Sequence, residues 1–177
     1  MKTIWVLILC GASVIAYAQA KEYVCTPCGN TCDNTVYTKP GNCPVCQMKL
    51  MEKSAIQYEN LSTDEFCNRI SDNPNGILLL DVRTKAEFEG TAMGTTYGHF
   101  RNALNINVED LQERMDELNQ YKDREVLVYC SKSIRSPRAA AMLTANGFRN
   151  VKNMKGGVST LHVDGNDCLK KNFVVHK

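Results

Sequence analysis

The sequence predicts an α/β fold, a doubly wound parallel sheet with helices on both faces, preceded by a small Cys-rich N-terminal module. Three observations lead to this prediction. From residue 56 onward, short apolar runs alternate with helix-forming segments, which is typical of parallel strands joined by crossover helices. Five of the nine cysteines fall between Cys25 and Cys46. A chain of 177 residues has room for one ordinary domain and one such module.

Composition and charge exclude several classes of protein. The hydrophobic fraction is 44% and the charged fraction is 23%, values of a globular rather than a disordered chain. The net charge is only +2, and no long basic block is present. We therefore expect no nucleic-acid partner, because such proteins carry a concentrated basic surface.

Residues 1–20 have the pattern of a signal peptide. A lysine near the start is followed by an apolar stretch and by Ala18-Gln19-Ala20, a small-x-small cleavage site. The apolar stretch is too short for a stable membrane span. We expect an exported protein, periplasmic or secreted, whose mature chain begins at Lys21. The alternative is a lipoprotein anchored through Cys10, which the bulky Leu9 before it disfavours.

The cysteines of residues 21–54 are spaced like metal ligands. Two C-x-x-C pairs lie a short loop apart, and each pair presents two sulfurs from one tight turn. A tetrahedral site for Zn²⁺ or another soft divalent metal is predicted, with ligands Cys25, Cys28, Cys43 and Cys46. The alternative is a set of disulfides, because a small exported module needs cross-links. Either prediction leaves Cys32 without a role.

Part of this module resembles a known family. Tyr23-Val24-Cys25 and the stretch from Lys39 to Leu50 resemble the short heavy-metal-binding domain found near metal-efflux proteins. That family usually has Met-His after the first cysteine and glycine before the methionine. This chain has Pro27-Cys28 and Gln47 at those places, so the identity of the metal stays open.

Residues 55–177 are predicted to form the α/β domain, joined to the module by a short linker at Met51 to Ala55. Apolar runs bounded by turn residues predict the strands, and capping residues with helical apolar spacing predict the helices. The predicted strands are 56–58, 77–82, 103–107, 125–130 and 151–154, and the predicted helices are 62–70, 108–121 and 137–146. In the second helix, Leu111, Met115 and Leu118 would share a buried face.

The strand ending at Tyr129 delivers Cys130 into a short loop that closes on a helix. Ser136 suits the N-cap of that helix, and Pro137 suits its first turn. This geometry directs backbone N–H groups and the positive helix end at the sulfur, surroundings that favour a nucleophilic thiolate. Arg135 adds a fixed charge with forked donors for an oxyanion.

The segment from about Ile56 to His162 resembles a rhodanese (sulfurtransferase) domain. The matching pieces are Leu78 to Arg83, Glu87-Phe88, Gly98-His99-Phe100, Ala103 to Ile106, Val128-Tyr129-Cys130, Arg135-Ser136, Ala140 and Gly156-Gly157. The resemblance implies a rhodanese-like fold in which Cys130 carries a persulfide and Arg135 assists catalysis. It also implies a substrate-binding loop formed by Ser131, Lys132, Ser133, Ile134 and Ser136. Gly90 to Tyr97 departs from the family as an insertion, and Thr160-Leu161 replaces an aromatic position.

The predicted function is transfer of sulfane sulfur from thiosulfate or a related anionic donor to a thiol or cyanide, without a cofactor for that reaction. One alternative is a periplasmic metal-binding, thiol-binding or sulfur-carrier protein without turnover. A less favoured alternative is a phosphatase or arsenate reductase. Four residues separate Cys130 from Arg135. The phosphatase relatives have five residues between the corresponding cysteine and arginine, and this longer loop forms a wider cradle that suits a tetrahedral oxyanion.

Other residues receive structural predictions. Asp81 and Arg83 are expected to form an ion pair that supports the active-site loop. His99 is expected to pack within its loop rather than to act as a base. Cys67 is interpreted as a buried helix residue, and Cys168 as a surface thiol or a disulfide partner. The oligomeric state is left open.

Overall fold

The structure is a computed structural model that describes residues 20–94 and 97–176. Apart from Ala20, the predicted signal peptide and the alternative anchor Cys10 lie outside these residues. In the described part of the chain, no helix combines the length and the apolar character that a membrane crossing requires.

The N-terminal module is a small antiparallel sheet. Its strands are β1 (Tyr23–Cys25), β2 (Val36–Tyr37) and β3 (Leu50–Glu52), with β1 in the middle. A 3₁₀ helix, Thr31–Asn34, connects β1 to β2. The predicted linker is therefore wrong in its first part, since Met51 and Glu52 pair with β1. Cysteine side chains and Leu50 fill the interior of the module.

The larger domain is the predicted parallel α/β sheet. Its sheet strands are β4 (Tyr58–Leu61), β5 (Ile77–Asp81), β7 (Leu104–Asn105), β8 (Glu125–Tyr129) and β9 (Asn150–Met154). A separate two-stranded antiparallel sheet pairs β6 (His99–Phe100) with β10 (Phe173–Val174). Its helices are α1 (Thr63–Asp72), α2 (Lys85–Glu89), α3 (Arg135–Ala145) and α4 (Asp167–Asn172). The five-stranded sheet has the order β4-β9-β8-β5-β7, with every neighbouring pair parallel. Because β8 is central, the residue that follows it lies at the middle of the carboxyl edge.

Both faces of this sheet are covered, which confirms the doubly wound architecture. Alternate residues of β8 point to opposite sides, as the pleat requires. Val126 and Val128 belong to the core beneath α3, and Leu127 and Tyr129 belong to the core beneath α1 and α4. The first core also contains Cys130.

The segment 108–121 differs from the prediction. Instead of an α-helix it forms turns followed by a 3₁₀ helix, Met115–Tyr121. Leu111 and Leu118 are nevertheless fully buried. The apolar spacing of three and four residues suits either helical form, and no side chain caps the start of the 3₁₀ helix.

A disulfide joins α1 to α4. Cys67 and Cys168 are bonded across 101 residues of sequence. Cys67 is a buried helix residue, as predicted, and of the two alternatives for Cys168 the disulfide partner is confirmed. The bridge and the β6–β10 pairing both tie the C-terminal segment to the domain.

Candidate active site and cysteine cluster

Cys130 follows the last residue of the central strand β8, at the carboxyl edge where ligands of open α/β sheets bind. Its backbone is held from across the edge. The Val158 N–H donates to the carbonyl of Cys130, and the Ser159 N–H donates to that of Ser131, each at 2.9 Å. Gly157 permits this contact, since a Cβ there would lie 2.4 Å from the Ser131 oxygen.

The loop from Ser131 to Ile134 has the features of an anion cradle. Ser133 adopts φ +53°, a left-handed conformation that is uncommon for serine. None of the backbone hydrogen bonds of the described residues uses an N–H of these four residues. Successive free N–H groups in such a loop can bind an anion. The Asn153 amide, buried at the end of β9, donates to the Ser133 hydroxyl at 3.2 Å and anchors the loop.

Ser136 has a different role from the predicted one. Helix α3 begins at Arg135, and Ile134 occupies its N-cap without a side-chain hydrogen bond. Ser136 therefore lies inside the first turn, fully buried, and its hydroxyl is 3.3 Å from the Cys130 sulfur, to which it donates. The prediction of Ser136 as N-cap is wrong, but the residue contacts the Cys130 thiol directly.

Arg135 is bound by a carboxylate within the protein. Its two terminal nitrogens donate to the two oxygens of Glu87 at 2.6 and 2.7 Å, and one of them also donates to the Ser131 hydroxyl at 3.2 Å. Ser131 in turn donates to Glu87 at 2.8 Å. This closed network fixes the start and the end of the loop against α2.

Sequence reasoning did not identify Glu87 as a site residue. Glu87 also completes the capping box of α2 with Thr84. The Arg135 guanidinium is the main cause that lowers the pKa of Glu87 to about 2, and the hydrogen bond from Ser131 contributes. The signal was available in part, since Thr84-x-x-Glu87 is a capping box pattern. The contact with Arg135, 48 residues away, has no local signature.

A pocket of about 310 Å³ opens beside the thiol. Its lining consists of Glu87, Gly94, Tyr97, Cys130, Ser131, Lys132, Ile134 and Arg135. Gly94 and Tyr97 belong to the predicted insertion, which therefore reaches the pocket wall. Cys130 itself is only 1% exposed, so a reactant must enter this pocket to meet the sulfur.

Asp81 and Arg83 form the expected buried ion pair. The Arg83 guanidinium donates to both Asp81 oxygens and, at 2.7 Å, to the Gly98 carbonyl. His99 packs against Phe88 with ring centroids 4.3 Å apart, and its Nδ1 lies 3.2 Å from Nε2 of His176. Burial lowers the pKa of His99, and the neighbouring His176 lowers it further. These contacts place His99 in loop packing.

A second group of reactive residues lies in the N-terminal module. The sulfurs of Cys25, Cys32, Cys43 and Cys46 all lie within 4.8 Å of one another, and the first three side chains are buried. This buried set could hold a metal ion. The structure brings Cys32 into the set in place of the predicted Cys28, which instead faces Asp33 at 3.1 Å.

A tight turn from Cys43 to Gln47 holds Cys43 at its place in the cysteine cluster. Gln47 adopts φ +63° and donates its N–H to the Cys43 carbonyl, which closes the Cys43 to Cys46 turn. Backbone N–H groups of that turn and the Tyr37 hydroxyl lower the pKa of Cys43 to about 6. Burial instead raises the pKa of Cys25 and brings that of Cys32 to about 12.

Comparison with known families identifies the larger domain. The profile of the rhodanese-like domain family matches residues 62–162, which is more than half of the chain. The match contains both ends of the active-site network, Glu87 and Arg135, together with Cys130.

The chain spans only part of the length of the curated relatives that it matches. A tRNA uridine(34) hydroxylase of Buchnera aphidicola is 32% identical over 131 residues, 64% of this chain and 39% of that protein. The corresponding protein of Photorhabdus laumondii is 33% identical over 98 residues, 53% of this chain and 26% of that protein. The YqhL protein of Bacillus subtilis is 42% identical over 79 residues, 45% of this chain and 56% of that protein.

Solved structures include similar chains. A rhodanese-related protein from Thermoplasma volcanium has a TM-score of 0.48 and 22% identity, covering 67% of this chain and 97% of that one. A rhodanese-like domain protein from Staphylococcus aureus has a TM-score of 0.47 and 26% identity, covering 57% of this chain and 88% of that one.

Proposed function

Because the chain belongs to the rhodanese-like domain family, we propose that it is an exported sulfurtransferase that works through a persulfide on Cys130. The observation that carries this proposal is the position of the Cys130 thiol. It lies at the centre of the carboxyl edge, beside a Ser131 to Ile134 loop whose N–H groups make no backbone hydrogen bond in the described chain. The donor would be thiosulfate or a related anion, and the acceptor would be cyanide or a thiol.

The reaction has two displacement steps. The Cys130 thiolate attacks the outer sulfur of thiosulfate, and the S–S bond breaks so that sulfite leaves with the electron pair. The terminal sulfur of the resulting persulfide is then attacked by the acceptor, and Cys130 leaves as a thiolate. The free N–H groups of the loop would stabilise the negative charge in both steps. Ser136 would donate a hydrogen bond to the sulfur of the thiolate.

Charge at the pocket mouth favours an anionic donor. Lys132 is exposed on the pocket lining, whereas the Arg135 charge is already matched by Glu87. Lys132 would therefore attract the donor, and Arg135 would position the loop. The same pairing weakens the phosphatase alternative, since a phosphate would have to displace Glu87 to be bound by Arg135.

Several relatives are named tRNA uridine(34) hydroxylases, but two observations speak against tRNA as the substrate of this chain. The matched region is at most about two fifths of those hydroxylases. The net charge of this chain is only +2, which gives little attraction to tRNA.

Export is part of the proposal. The Ala18-Gln19-Ala20 site supports it, and so does the Cys67–Cys168 disulfide, because such bonds persist mainly outside the reducing cytosol. Intact-mass measurement on protein from the native host should find a chain that starts near Lys21. A lipid-modified chain starting at Cys10 would contradict this.

We also propose that the cysteine cluster binds a soft divalent ion such as Zn²⁺ through Cys25, Cys32, Cys43 and Cys46. Four sulfurs around one Zn²⁺, at about 2.3 Å each, lie about 3.8 Å apart in a tetrahedron. The sulfurs of Cys25 and Cys32 are 3.8 Å apart and those of Cys25 and Cys46 are 3.1 Å apart, so small rotations would fit the ion. Disulfides among these thiols are the competing state.

A paired assay tests the sulfurtransferase. The purified mature chain should convert thiosulfate and cyanide to thiocyanate and sulfite, and Cys130→Ser should abolish turnover. The Cys67→Ser/Cys168→Ser double variant, which also replaces cysteines but on the opposite face of the sheet from Cys130, should retain it. Turnover by Cys130→Ser would overturn the proposal. A persulfide on Cys130 without turnover would favour a sulfur carrier, and hydrolysis of para-nitrophenyl phosphate would favour a phosphatase.

A further inference from the structure

The cysteine cluster contains more ligands than one tetrahedral ion can use. Six candidate ligand residues form two overlapping sets of four, and within each set the ligand atoms lie within 4.8 Å of one another. The first set is Cys25, Cys32, Cys43 and Cys46, and the second set is Cys25, Cys28, Cys32 and Asp33. Two sulfurs, those of Cys25 and Cys32, belong to both sets.

The two shared sulfurs are separated by the distance expected if two metal-centred tetrahedra have one edge in common. The Cys25 and Cys32 sulfurs are 3.8 Å apart, which is about the edge of a tetrahedron of sulfurs around Zn²⁺. The additional ligands of the second set, Cys28 and Asp33, lie close to this pair. The Cys28 sulfur is 3.5 Å from the Cys32 sulfur and 3.1 Å from an Asp33 oxygen. A thiolate has lone pairs to bind two ions at once, so one edge can serve two tetrahedra.

The carboxylate of the second set is held in place. The Cys28 N–H donates to Asp33 at 3.0 Å and the Gly29 N–H donates to it at 2.8 Å. Hydrogen bonds of this kind orient metal-binding carboxylates and leave lone pairs for the ion. The Asn30 amide donates to the Cys28 sulfur at 3.4 Å, as a donor to a thiolate would. Cys28 and Asp33 are half-buried, which leaves this side accessible to an incoming ion.

We propose that the N-terminal module binds two soft divalent ions that share the sulfurs of Cys25 and Cys32. Cys43 and Cys46 complete the inner site, and Cys28 and Asp33 complete the outer site. Each thiol binds as a thiolate and releases its proton to water. Five thiolates and one carboxylate carry a charge of −6, of which two divalent ions neutralise four. The inference rests on the proposed inner metal site and adds a second ion to it.

Metal counting by native mass spectrometry tests the proposal. The mature chain, reduced and loaded with Zn²⁺ before buffer exchange, should carry two ions. Asp33→Asn, which keeps the shape of the side chain, should carry one, and Cys28→Ser should also carry one. The matched controls Asp123→Asn, at an exposed surface carboxylate, and Cys130→Ser, at a thiol outside the cluster, should both keep two.

The outcomes separate the two proposals. One ion in the wild-type chain would overturn the outer site and leave the inner one. If the reduced and loaded chain carries no ion, and the same thiols are joined in disulfides before reduction, both sites are overturned. Two ions in Asp33→Asn and in Cys28→Ser would overturn the assigned outer ligands. Cd²⁺ loading provides a second readout, since two bridged ions should give two ¹¹³Cd resonances and Asp33→Asn should give one. Circular dichroism checks that each variant is folded.

Discussion

The two thiol-containing sites are built in opposite ways. Around Cys130, the sheet and its helices form a core that does not need the thiol, and the sulfur occupies a place that the fold prepares. In the N-terminal module, the cysteines are the core, with Cys25, Cys32, Cys43 and Leu50 as its buried apolar residues. The reactivity of Cys130 thus depends on a fold that forms without it. The fold of the module instead depends on its cysteines binding metal or forming cross-links, because so few apolar side chains cannot offset the entropy of ordering the module.

The largest expected effect comes from Cys43→Ser, which tests this comparison most directly. The variant removes one proposed metal ligand and part of the module core, so residues 20–55 should lose their protection from amide hydrogen exchange. The sheet of the larger domain should remain protected, and turnover should persist. Val45→Thr, at an exposed position of the same turn, is the matched control and should change neither.

The proximity of the two regions allows them to influence one another. A Cβ added at Gly29 would lie 3.2 Å from Cγ2 of Ile134, so the module loop lies close to the active-site loop. If Cys43→Ser lowers turnover together with protection of residues 20–55, the comparison is wrong and the module supports catalysis through these neighbouring loops.

The Cys67–Cys168 disulfide should matter for stability and not for chemistry. Replacing both cysteines by serine frees a loop of 101 residues and should lower the free energy of unfolding by about 2–4 kcal/mol. The bridge belongs to the core on the face of the sheet opposite to the core that contains Cys130, so turnover per folded molecule should be unchanged. Urea unfolding beside the thiocyanate assay measures both. A large loss of turnover in folded protein would contradict this separation.

Arg135→Ala should reduce turnover more than it reduces stability. It removes the partner of Glu87 and a hydrogen bond to Ser131, so the loop loses its fixed position. We expect kcat/KM for thiosulfate to fall by about tenfold or more. Arg138→Ala, which breaks an exposed pair with Glu109, is the control and should have little effect. A melting temperature that collapses while the folded fraction keeps full activity would make Arg135 purely structural.

The smallest expected effect is a loss of folding stability at low pH. The pKa of Glu87 is lowered to about 2 by Arg135, whereas an unfolded glutamate has a pKa of about 4.3. The pair therefore stabilises the fold above about pH 4.3, and this stability is lost as the pH falls toward 2. The loss should be about 1–2 kcal/mol, since solvent at the pocket mouth screens the pair.

Glu87→Gln should flatten this acid dependence, and Glu113→Gln, at an exposed carboxylate, should leave it as in the wild type. Urea titrations at several pH values measure both. An unchanged pH dependence in Glu87→Gln would show that the ion pair adds no stability.

Sequence patterns alone were enough to predict the fold class and the place of Cys130 in it. Apolar runs, caps and turns are local patterns, and every element predicted from them in the sheet domain overlaps one of the same type except the segment 108–121. That segment failed because apolar spacing does not distinguish an α-helix from a 3₁₀ helix. The first strand overlaps its prediction only at Tyr58, and the short elements α2, β6, α4 and β10 were not predicted. The position of Cys130 followed from the order of strand, loop and helix alone.

Contacts between residues far apart in the sequence could be found only from the folded chain. Glu87 binds Arg135 across 48 residues, and Asn153 holds Ser133 from another strand. Cys67 finds Cys168 across 101 residues. Within the module, the 3₁₀ helix turns Cys32 inward and leaves Cys28 beside Asp33. Spacing could not predict this exchange, because C-x-x-C specifies how near two sulfurs can lie and the fold determines which of them faces the interior.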